Sequence, residues 1–295
     1  MTVATLTDVL APAIAGKYAV AGLVVLGWED ARAYVEAAEE LGVAVILQAG
    51  PGCRAYMPVP ILGKMFRCLA EKAQVPVVCH IDHAYTLEEC SAGIDHGFTS
   101  VMIDGSKHNI EANIALTVRV VELAHRAGVS VEGEVGQVGY VNGTPSTHSS
   151  PEDAARFDRE SGADALAISV GNVHLNTSAT SEIDMTALRR IEQVTKLPLV
   201  IHGGSGLPAT TRQMLARETR VKKFNVGTEL RFAFGAALRD SLTENPNEFD
   251  RNVLLGRTIP NIKKATLQVL ESLRSTRDCE YQKLNGDNSF LPRLS

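Results

Sequence analysis

The sequence lacks the features that mark several large classes of protein. None of its apolar runs approaches the roughly 18 residues of a membrane span, and its start, MTVATLTDVL, has neither the basic residues nor the long apolar core of a signal peptide. Basic residues are not in excess, since 29 Lys and Arg stand against 34 Asp and Glu and give a formal net charge of -5. We therefore expect no membrane and no nucleic acid as partners, because a nucleic-acid binder usually carries a basic face.

Cysteine is scarce, and its spacing carries neither a metal nor a disulfide signature. There are five cysteines, an odd number, and no two of them form a CxxC pair. This pattern favours a reduced, cytoplasmic protein in which each thiol fills space in the core. Linkers rich in Pro, Gly or Ser are also missing, so we predict a single domain.

What the chain does contain is a series of short runs rich in Val and Ile, with helix-like stretches between them. Because these runs are almost continuously apolar, they are typical of strands buried on both faces of a parallel sheet. Eight such strands predict an α/β fold, a closed (β/α)8 barrel (TIM barrel) over residues 1–275, followed by a C-terminal extension over 276–295. A doubly wound open sheet is the alternative, which strand count alone does not exclude. The runs are 18–25, 43–48, 76–82, 99–104, 129–135, 164–169, 198–203 and 221–226.

Polar residues stand at or just after the ends of five of these predicted strands. In a (β/α)8 barrel the carboxyl ends of the strands meet at one rim, where active sites lie. Residues far apart in sequence are therefore expected to converge there. They are Asp82 and His83 (third strand), Glu134 (fifth), His174 (after the sixth), His202 (seventh) and Asn225 (eighth).

Three of these residues, His83, His174 and His202, are candidate zinc ligands. Three neutral imidazoles with an open fourth position make a catalytic zinc site, which acts as a Lewis acid on a bound oxygen. Each histidine alone is weak support, but their joint placement favours a metal. His80 lies on the same strand face as Asp82 and is interpreted as a core residue or a neighbour of the ligands. The histidines in or near helices are expected to have no catalytic part: His96, His108 and His125.

Two Gly-containing loops follow neighbouring strands and precede helices. HGGSG (202–206) comes before a helix predicted to start near Pro208, and NVGTE (225–229) opens another at Gly227 and Thr228. Backbone N–H groups at a helix N-terminus bind anions, and barrels often hold phosphate after strands seven and eight. The alternative is that the glycines only make tight turns. Two such loops beside the candidate metal site favour a phosphate site.

These motifs together resemble the class II, zinc-dependent fructose- and tagatose-bisphosphate aldolases. HIDHA, EGEVG, a His after a Gly-containing turn, HGGSG and NVGTE occur in the family's order, and the chain is identified as a divergent member over almost its whole length. The resemblance implies a (β/α)8 barrel in which zinc polarises the carbonyl of dihydroxyacetone phosphate and stabilises its enediolate. It further implies one zinc per subunit, a monovalent cation, a small sugar-phosphate-like substrate and a homodimer or homotetramer.

The resemblance also assigns roles to particular residues. Zinc would be held by His83, His174 and His202, and Asp82 would be the acid/base on the hydroxyl that becomes the aldehyde. Glu134 would support the metal site or serve as an alternative ligand. The ketose phosphate end would be held by Gly203, Gly204, Ser205, Asn225, Val226, Gly227 and Thr228.

Three positions depart from the family pattern. Val24 stands where the family's PAFN segment has Asn, and Leu175 stands where a Gly approaches the phosphate. The pattern ELG-x-x-GG-x-E, which brings a mobile Glu to the enediolate carbon, reads EVGQVGYVN here and ends on Asn142. Glu152 or His148, from the same long loop, are candidate substitutes for that base. These changes suggest an aldolase-like enzyme with an altered substrate.

There are two alternative hypotheses to a zinc aldolase. A non-catalytic, aldolase-like accessory subunit would explain the loss of the loop Glu, but not the retention of Asp82 and three histidines. A metallohydrolase would more often begin with an HxH pair on an early strand, and the first strand here has no His. Candidates for binding a second phosphate are Arg54, Arg231 and Arg239, none of them singled out by the sequence.

Overall fold

The computed structural model describes residues 2–141, 143–178 and 180–274 of the chain. Asn142 and the predicted extension over 276–295 lie outside the described residues, so the boundary at 275 stays a prediction. The strands are β1 (Val3–Ala4), β2 (Val20–Val24), β3 (Val45–Ala49), β4 (Val77–Ala84), β5 (Ser100–Ile103), β6 (Ser130–Val135), β7 (Ala165–Ile168), β8 (Leu199–Ile201) and β9 (Val221–Val226). The helices are α1 (Leu6–Gly16), α2 (Trp28–Leu41), α3 (Pro51–Tyr56), α4 (Val59–Lys72), α5 (Leu87–Asp95), α6 (Ile110–Arg126), α7 (Pro151–Ser161), α8 (Met185–Val194), α9 (Ala209–Glu218), α10 (Thr228–Glu244), α11 (Arg251–Gly256) and α12 (Ile259–Leu273).

The sheet is a closed barrel of eight parallel strands. Strands β2 to β9 pair in sequence order, β9 pairs back with β2, and every pairing is parallel. These eight strands coincide with the eight predicted runs, so the barrel prediction is confirmed and the open doubly wound sheet is excluded. The two-residue strand β1 pairs only with the start of β4.

Helix α1 closes the amino-terminal end of the barrel. It starts at a capping box in which Thr5 and Asp8 satisfy each other's backbone N–H groups. Its apolar side chains then pack onto inward-facing residues of the strands. This cluster comprises Ala4, Leu6, Val9, Leu10, Ala13, Val20, Ile46, Val78, Met102, Ala165, Ala167 and Val200. Because apolar side chains fill the barrel interior at this end, the polar residues of the interior lie toward the other end.

The larger core lies between the barrel and its surrounding helices. Strand residues that point outward, such as Leu23, Leu47 and Phe224, are fully buried beneath the helical layer. Three of the four described cysteines are buried there and all four are free, but Cys68 is exposed, so the expectation that every thiol fills the core is wrong for that residue. Within the described residues, no helix has the length and apolar character that a membrane crossing requires.

The barrel interior changes from apolar to polar towards the carboxyl ends of the strands. Lys223 of β9 donates to Glu132 of β6 over 2.6 Å, and its Nζ lies 3.5 Å from Nε2 of His80 on β4. These strands are not neighbours in the sheet, so the three side chains meet inside the barrel. All three are fully buried. Buried charges persist only when paired, and this layer forms the floor beneath the histidine cluster.

Candidate active site

The three predicted ligands converge at the carboxyl-terminal rim. His83 comes from β4, His174 from the loop after β7, and His202 directly follows β8. One ring nitrogen from each lies within 4.8 Å of the others, and the ring centroids are 4.7 to 5.6 Å apart. Nε2 of His83 and Nδ1 of His202 face each other across 2.9 Å. Residues separated by more than a hundred positions in sequence are thus brought together by barrel closure.

Carboxylates fix the orientation of two of these imidazoles. Nδ1 of His83 is 2.8 Å from Oδ2 of Asp104, and Nε2 of His202 is 3.0 Å from Oε1 of Glu132. The other oxygen of Glu132 accepts from Lys223. When each outer nitrogen donates to its carboxylate, the inner nitrogen keeps its lone pair for a metal, which is the usual arrangement around a ligating histidine.

The three imidazoles differ in charge. Burial opposes protonation of His83, but the surrounding carboxylates, Asp82 foremost, outweigh it and raise the pKa of His83 to about 9. Burial first, and then the charge of His83, lower the pKa of His174 to about 4 and hold the pKa of His202 well below its ordinary value. The site therefore attracts positive charge while two of its imidazoles are neutral, the form that binds a metal.

Glu134 places a partnerless oxygen beside this cluster. Its Oε1 accepts from the Val138 N–H, whereas its buried Oε2 has no hydrogen-bond partner among the described residues and lies 3.7 Å from Nδ1 of His83. Burial, and then the charge of Asp104, raise the pKa of Glu134 to about 8. An orphaned buried carboxylate oxygen is costly unless a proton or a cation satisfies it. The inner nitrogens of the three imidazoles fit a zinc ion, whereas this oxygen lies at the outer nitrogen of His83, beside Asp104.

The backbone of β4 is irregular and strained at His83. Its φ is +50°, in the left-handed region that non-glycine residues seldom adopt. Arg54, in the last turn of α3, holds this part of β4: its guanidinium donates to the carbonyls of Ala49 (2.5 Å), Asp82 (2.6 Å) and His83 (3.0 Å). Arg54 therefore stabilises the end of β4. Because its guanidinium donates to three backbone carbonyls, it has little capacity left to bind a second phosphate.

Asp82 lies beside the histidines in a pocket that also contains the predicted phosphate loops. Its side chain is buried, and Oδ1 is 3.3 Å from Nδ2 of Asn225. Gly204 and Val226 are buried beneath the pocket wall. The pocket is lined by Val24, Asp82, His174, Leu175, Gly203, Ser205, Asn225, Gly227, Thr228 and Arg231.

The anion-binding geometry follows from the two loops. Gly203 has a φ of +66°, and an added Cβ would collide with the carbonyl of Val173, so glycine is required there. Helix α10 begins at Thr228 with Gly227 as its N-cap, as predicted. The Ser205 hydroxyl accepts weakly from the N–H groups of Gly227 (3.3 Å) and Glu229 (3.4 Å). The positive end of a 17-residue helix thus faces the pocket.

Leu175, which stands where the family pattern has a glycine, adopts a left-handed backbone conformation. Its φ is +57°, although a Leu side chain disfavours that region, and it is half exposed at the pocket wall. The departure therefore adds an apolar side chain to the pocket without removing the left-handed turn.

The described residues of the long loop after β6 form a hairpin. Gln137 and Thr147 exchange backbone hydrogen bonds of 2.8 Å, and Tyr140 at the tip stacks on His174. His148 and Glu152, the suggested substitutes for the missing base, are both exposed, and neither lines the pocket or contacts the histidines in the part of the chain that the structure describes.

Sequence reasoning missed four residues at the site: Asp104, Glu132, Lys223 and Tyr140. Asp104 ends the run TSVMID and Glu132 precedes Glu134 by two, so strand-end position and alternation could have identified them. The only sequence signal for Lys223 is that a charged residue interrupts an otherwise apolar strand, a feature that it shares with Lys222. Of the arginines considered, Arg231 lines the pocket, whereas Arg239 is exposed farther along α10.

The fold and the rim residues define an enzyme of the (β/α)8 class with a candidate metal and phosphate site, and comparison with known proteins gives its family. The sequence matches the family "Fructose-bisphosphate aldolase class-II" over residues 4–278. It is 35% identical to the fructose-bisphosphate aldolase of Geobacillus stearothermophilus over 283 residues, covering 94% of this chain and 98% of that protein. The enzyme of Thermus caldophilus is 33% identical over 292 residues, covering 90% and 95%.

A solved structure agrees with this assignment. The crystal structure of the YdjI aldolase of Escherichia coli K12 superposes with a TM-score of 0.79 at 27% identity, covering 92% of this chain and 98% of that one. This chain therefore belongs to the class II fructose-bisphosphate aldolase family, whose members are aldehyde-lyases.

Proposed function

We propose that the chain is a zinc-dependent aldolase that cleaves and forms a carbon–carbon bond in a ketose phosphate or a related β-hydroxy ketone. The observation that carries the proposal is the convergence of three imidazoles, two of them oriented by carboxylates, beside buried Asp82 and an anion pocket. Zinc, one ion per subunit, would be held by His83, His174 and His202 and would supply the Lewis acid for the substrate carbonyl.

Asp82 is the proposed acid/base at the hydroxyl. In the cleavage direction its carboxylate takes the proton of the β-hydroxyl, the carbon–carbon bond breaks, and the bonding electron pair passes to the fragment that holds the carbonyl. The products are an aldehyde and the enediolate of dihydroxyacetone phosphate or an analogue, which then takes up a proton at carbon. The amide of Asn225 at 3.3 Å holds the carboxylate at the pocket wall.

The phosphate end of the substrate is bound by the two loops and helix α10. We assign this binding to Gly203, Gly204, Ser205, Asn225, Val226, Gly227 and Thr228, with the helix N-terminus supplying positive charge. Glu134, whose Oε2 faces His83, supports the metal site. From the family resemblance the proposal extends to a monovalent cation, a homodimer or homotetramer, and a cytoplasmic location.

A substrate panel tests the proposal. Purified protein is incubated with ketose 1-phosphates, ketose 1,6-bisphosphates and unphosphorylated β-hydroxy ketones, with and without EDTA, and release of dihydroxyacetone phosphate or of the corresponding ketone fragment is recorded, with H202A as the control. We expect release that EDTA abolishes, that zinc restores, and that H202A lacks. Absence of release from every substrate, by folded and zinc-loaded protein, contradicts the proposal and supports the accessory-subunit reading.

A further inference from the structure

The three histidines are not held in the same way. The outer nitrogens of His83 and His202 each meet a carboxylate, Asp104 at 2.8 Å and Glu132 at 3.0 Å. No group in the described parts of the chain makes a hydrogen bond with the ring of His174. Without such a bond an imidazole can turn about its side-chain torsions, which lowers its value as a ligand.

Tyr140 supplies the missing constraint. Its ring is stacked on the imidazole of His174, with centroids 4.8 Å apart and planes inclined by 27°. Two backbone hydrogen bonds join the same segments: His174 N–H donates to the Gly139 carbonyl (2.8 Å), and Val141 N–H donates to the His174 carbonyl (3.3 Å). The hairpin is thus fastened to His174 on both sides of Tyr140.

Further hydrogen bonds among the described residues of the hairpin hold the backbone on either side of Tyr140. Gly139 N–H donates to Oγ of Ser146 over 3.0 Å, and Tyr140 N–H donates to the Thr144 carbonyl over 2.9 Å. At the base of the hairpin, Val138 N–H is bound by Glu134, a residue of the site. The aromatic ring is therefore carried by a segment that is anchored at both the site and its own turn.

We propose that Tyr140 is a positioning residue that fixes the imidazole plane of His174, as Asp104 and Glu132 fix those of the other two histidines. The family pattern has glycine at this place in the loop, so the constraint belongs to this chain's own sequence. The inference rests on the proposed zinc site. It makes the flat face of the tyrosine, and not its hydroxyl, the important feature.

Zinc affinity tests the inference without reference to turnover. The variants are Y140F, which keeps the ring, Y140L, which keeps apolar bulk without a flat face, and Y140A. Zinc affinity is measured by competition with a chelator, and the visible spectrum of the Co²⁺-substituted protein reports ligand geometry. Y56A, at a tyrosine that is 79% exposed on α3, is the matched surface control.

We expect Y140F and Y56A to bind zinc within about twofold of the wild type, and Y140L and Y140A to bind about five- to tenfold more weakly with an altered Co²⁺ spectrum. The thermal midpoint of the metal-free variants shows that they are folded. The inference is overturned if Y140L matches the wild type in affinity and spectrum, or if Y140F is as weak as Y140A.

Failure of the inference can be told apart from failure of the proposed function by measuring H174A alongside. If the wild type binds zinc no more tightly than H174A, the zinc site itself is wrong. If the wild type binds tightly and Y140L matches it, only the role of Tyr140 is wrong.

Discussion

At the scale of single residues, Asp82 is the side chain on which the proposed proton transfer depends. Its carboxylate is buried, adjoins the histidine cluster, and has the Asn225 amide as a partner at 3.3 Å. In the proposed reaction the pocket receives the β-hydroxyl of the substrate, and a carboxylate buried there is suited to accept its proton. Asparagine has the same shape but cannot accept the proton.

We therefore expect D82N to lower the cleavage rate at least about 100-fold while the zinc content stays at the wild-type level. Steady-state kinetics and elemental analysis of the same preparation provide the two readouts. If D82N kept more than a tenth of the wild-type rate, the proton would have to be moved by another group.

Arg231 is the one cationic side chain among the described residues that line the pocket. It has no ion pair within the part of the chain that the structure describes, so its charge is available for a bound anion. Gly227 lies one helical turn earlier: an added Cβ there would crowd Val24 at 3.0 Å, whereas Nη2 of Arg231 would lie at an ordinary contact distance of 3.8 Å.

R231Q should raise KM for a ketose phosphate about tenfold and change kcat little, because an ion pair with phosphate contributes equally to the ground state and the transition state. R239Q on the same helix removes the same charge outside the pocket and should leave KM unchanged. If both variants raised KM equally, substrate binding would depend only on the overall positive charge of helix α10 and not on a direct contact with Arg231.

At the scale of elements, β6 and β9 support the site from below. Glu132 and Lys223 are fully buried and form a 2.6 Å ion pair, and Glu132 also holds His202. Removing one partner of a buried pair leaves an uncompensated charge, which is more costly than removing both.

K223M should lower the free energy of unfolding of the metal-free protein by about 3 kcal/mol, and the double variant K223M/E132Q should recover part of that loss. Urea unfolding of K223M, E132Q and the double variant in the presence of EDTA measures these free energies. Strictly additive effects of the two substitutions would show that the pair is not coupled.

The elements were the most predictable part of the molecule. Strands buried on both faces read as apolar runs, and all eight were found in place because the barrel buries each of them between the interior and the helices. Asp82, His83 and His202 could be placed at the rim because strand ends are visible in a sequence.

What the sequence could not show was which side chains meet across the barrel. Asp104 reaches His83 through the pairing of β5 with β4, and Lys223 faces inward while Lys222, its neighbour in the same run, does not. The strained φ of His83 and Leu175 also depends on tertiary contacts. Register and strain are decided by closure of the barrel and leave no local pattern.

At the scale of the whole molecule, the two ends of the barrel differ in composition: one is apolar and closed by a helix, and the other holds the candidate site. Helix α1 seals the amino-terminal end with apolar side chains, while the carboxyl-terminal end brings together histidines, acids and anion-binding loops from six strands and the loops that follow them. The proposed chemistry requires that His83, His174 and His202 form a single metal site.

Zinc content per chain tests that claim most directly. Wild type, D82N, H83A, H174A and H202A are each loaded with zinc, dialysed and assayed by elemental analysis, with circular dichroism to show that every variant is folded. We expect about one zinc per chain in the wild type and in D82N, and much less than one in each histidine variant. Full zinc retention in any of the three histidine variants, or none in the folded wild type, would contradict it.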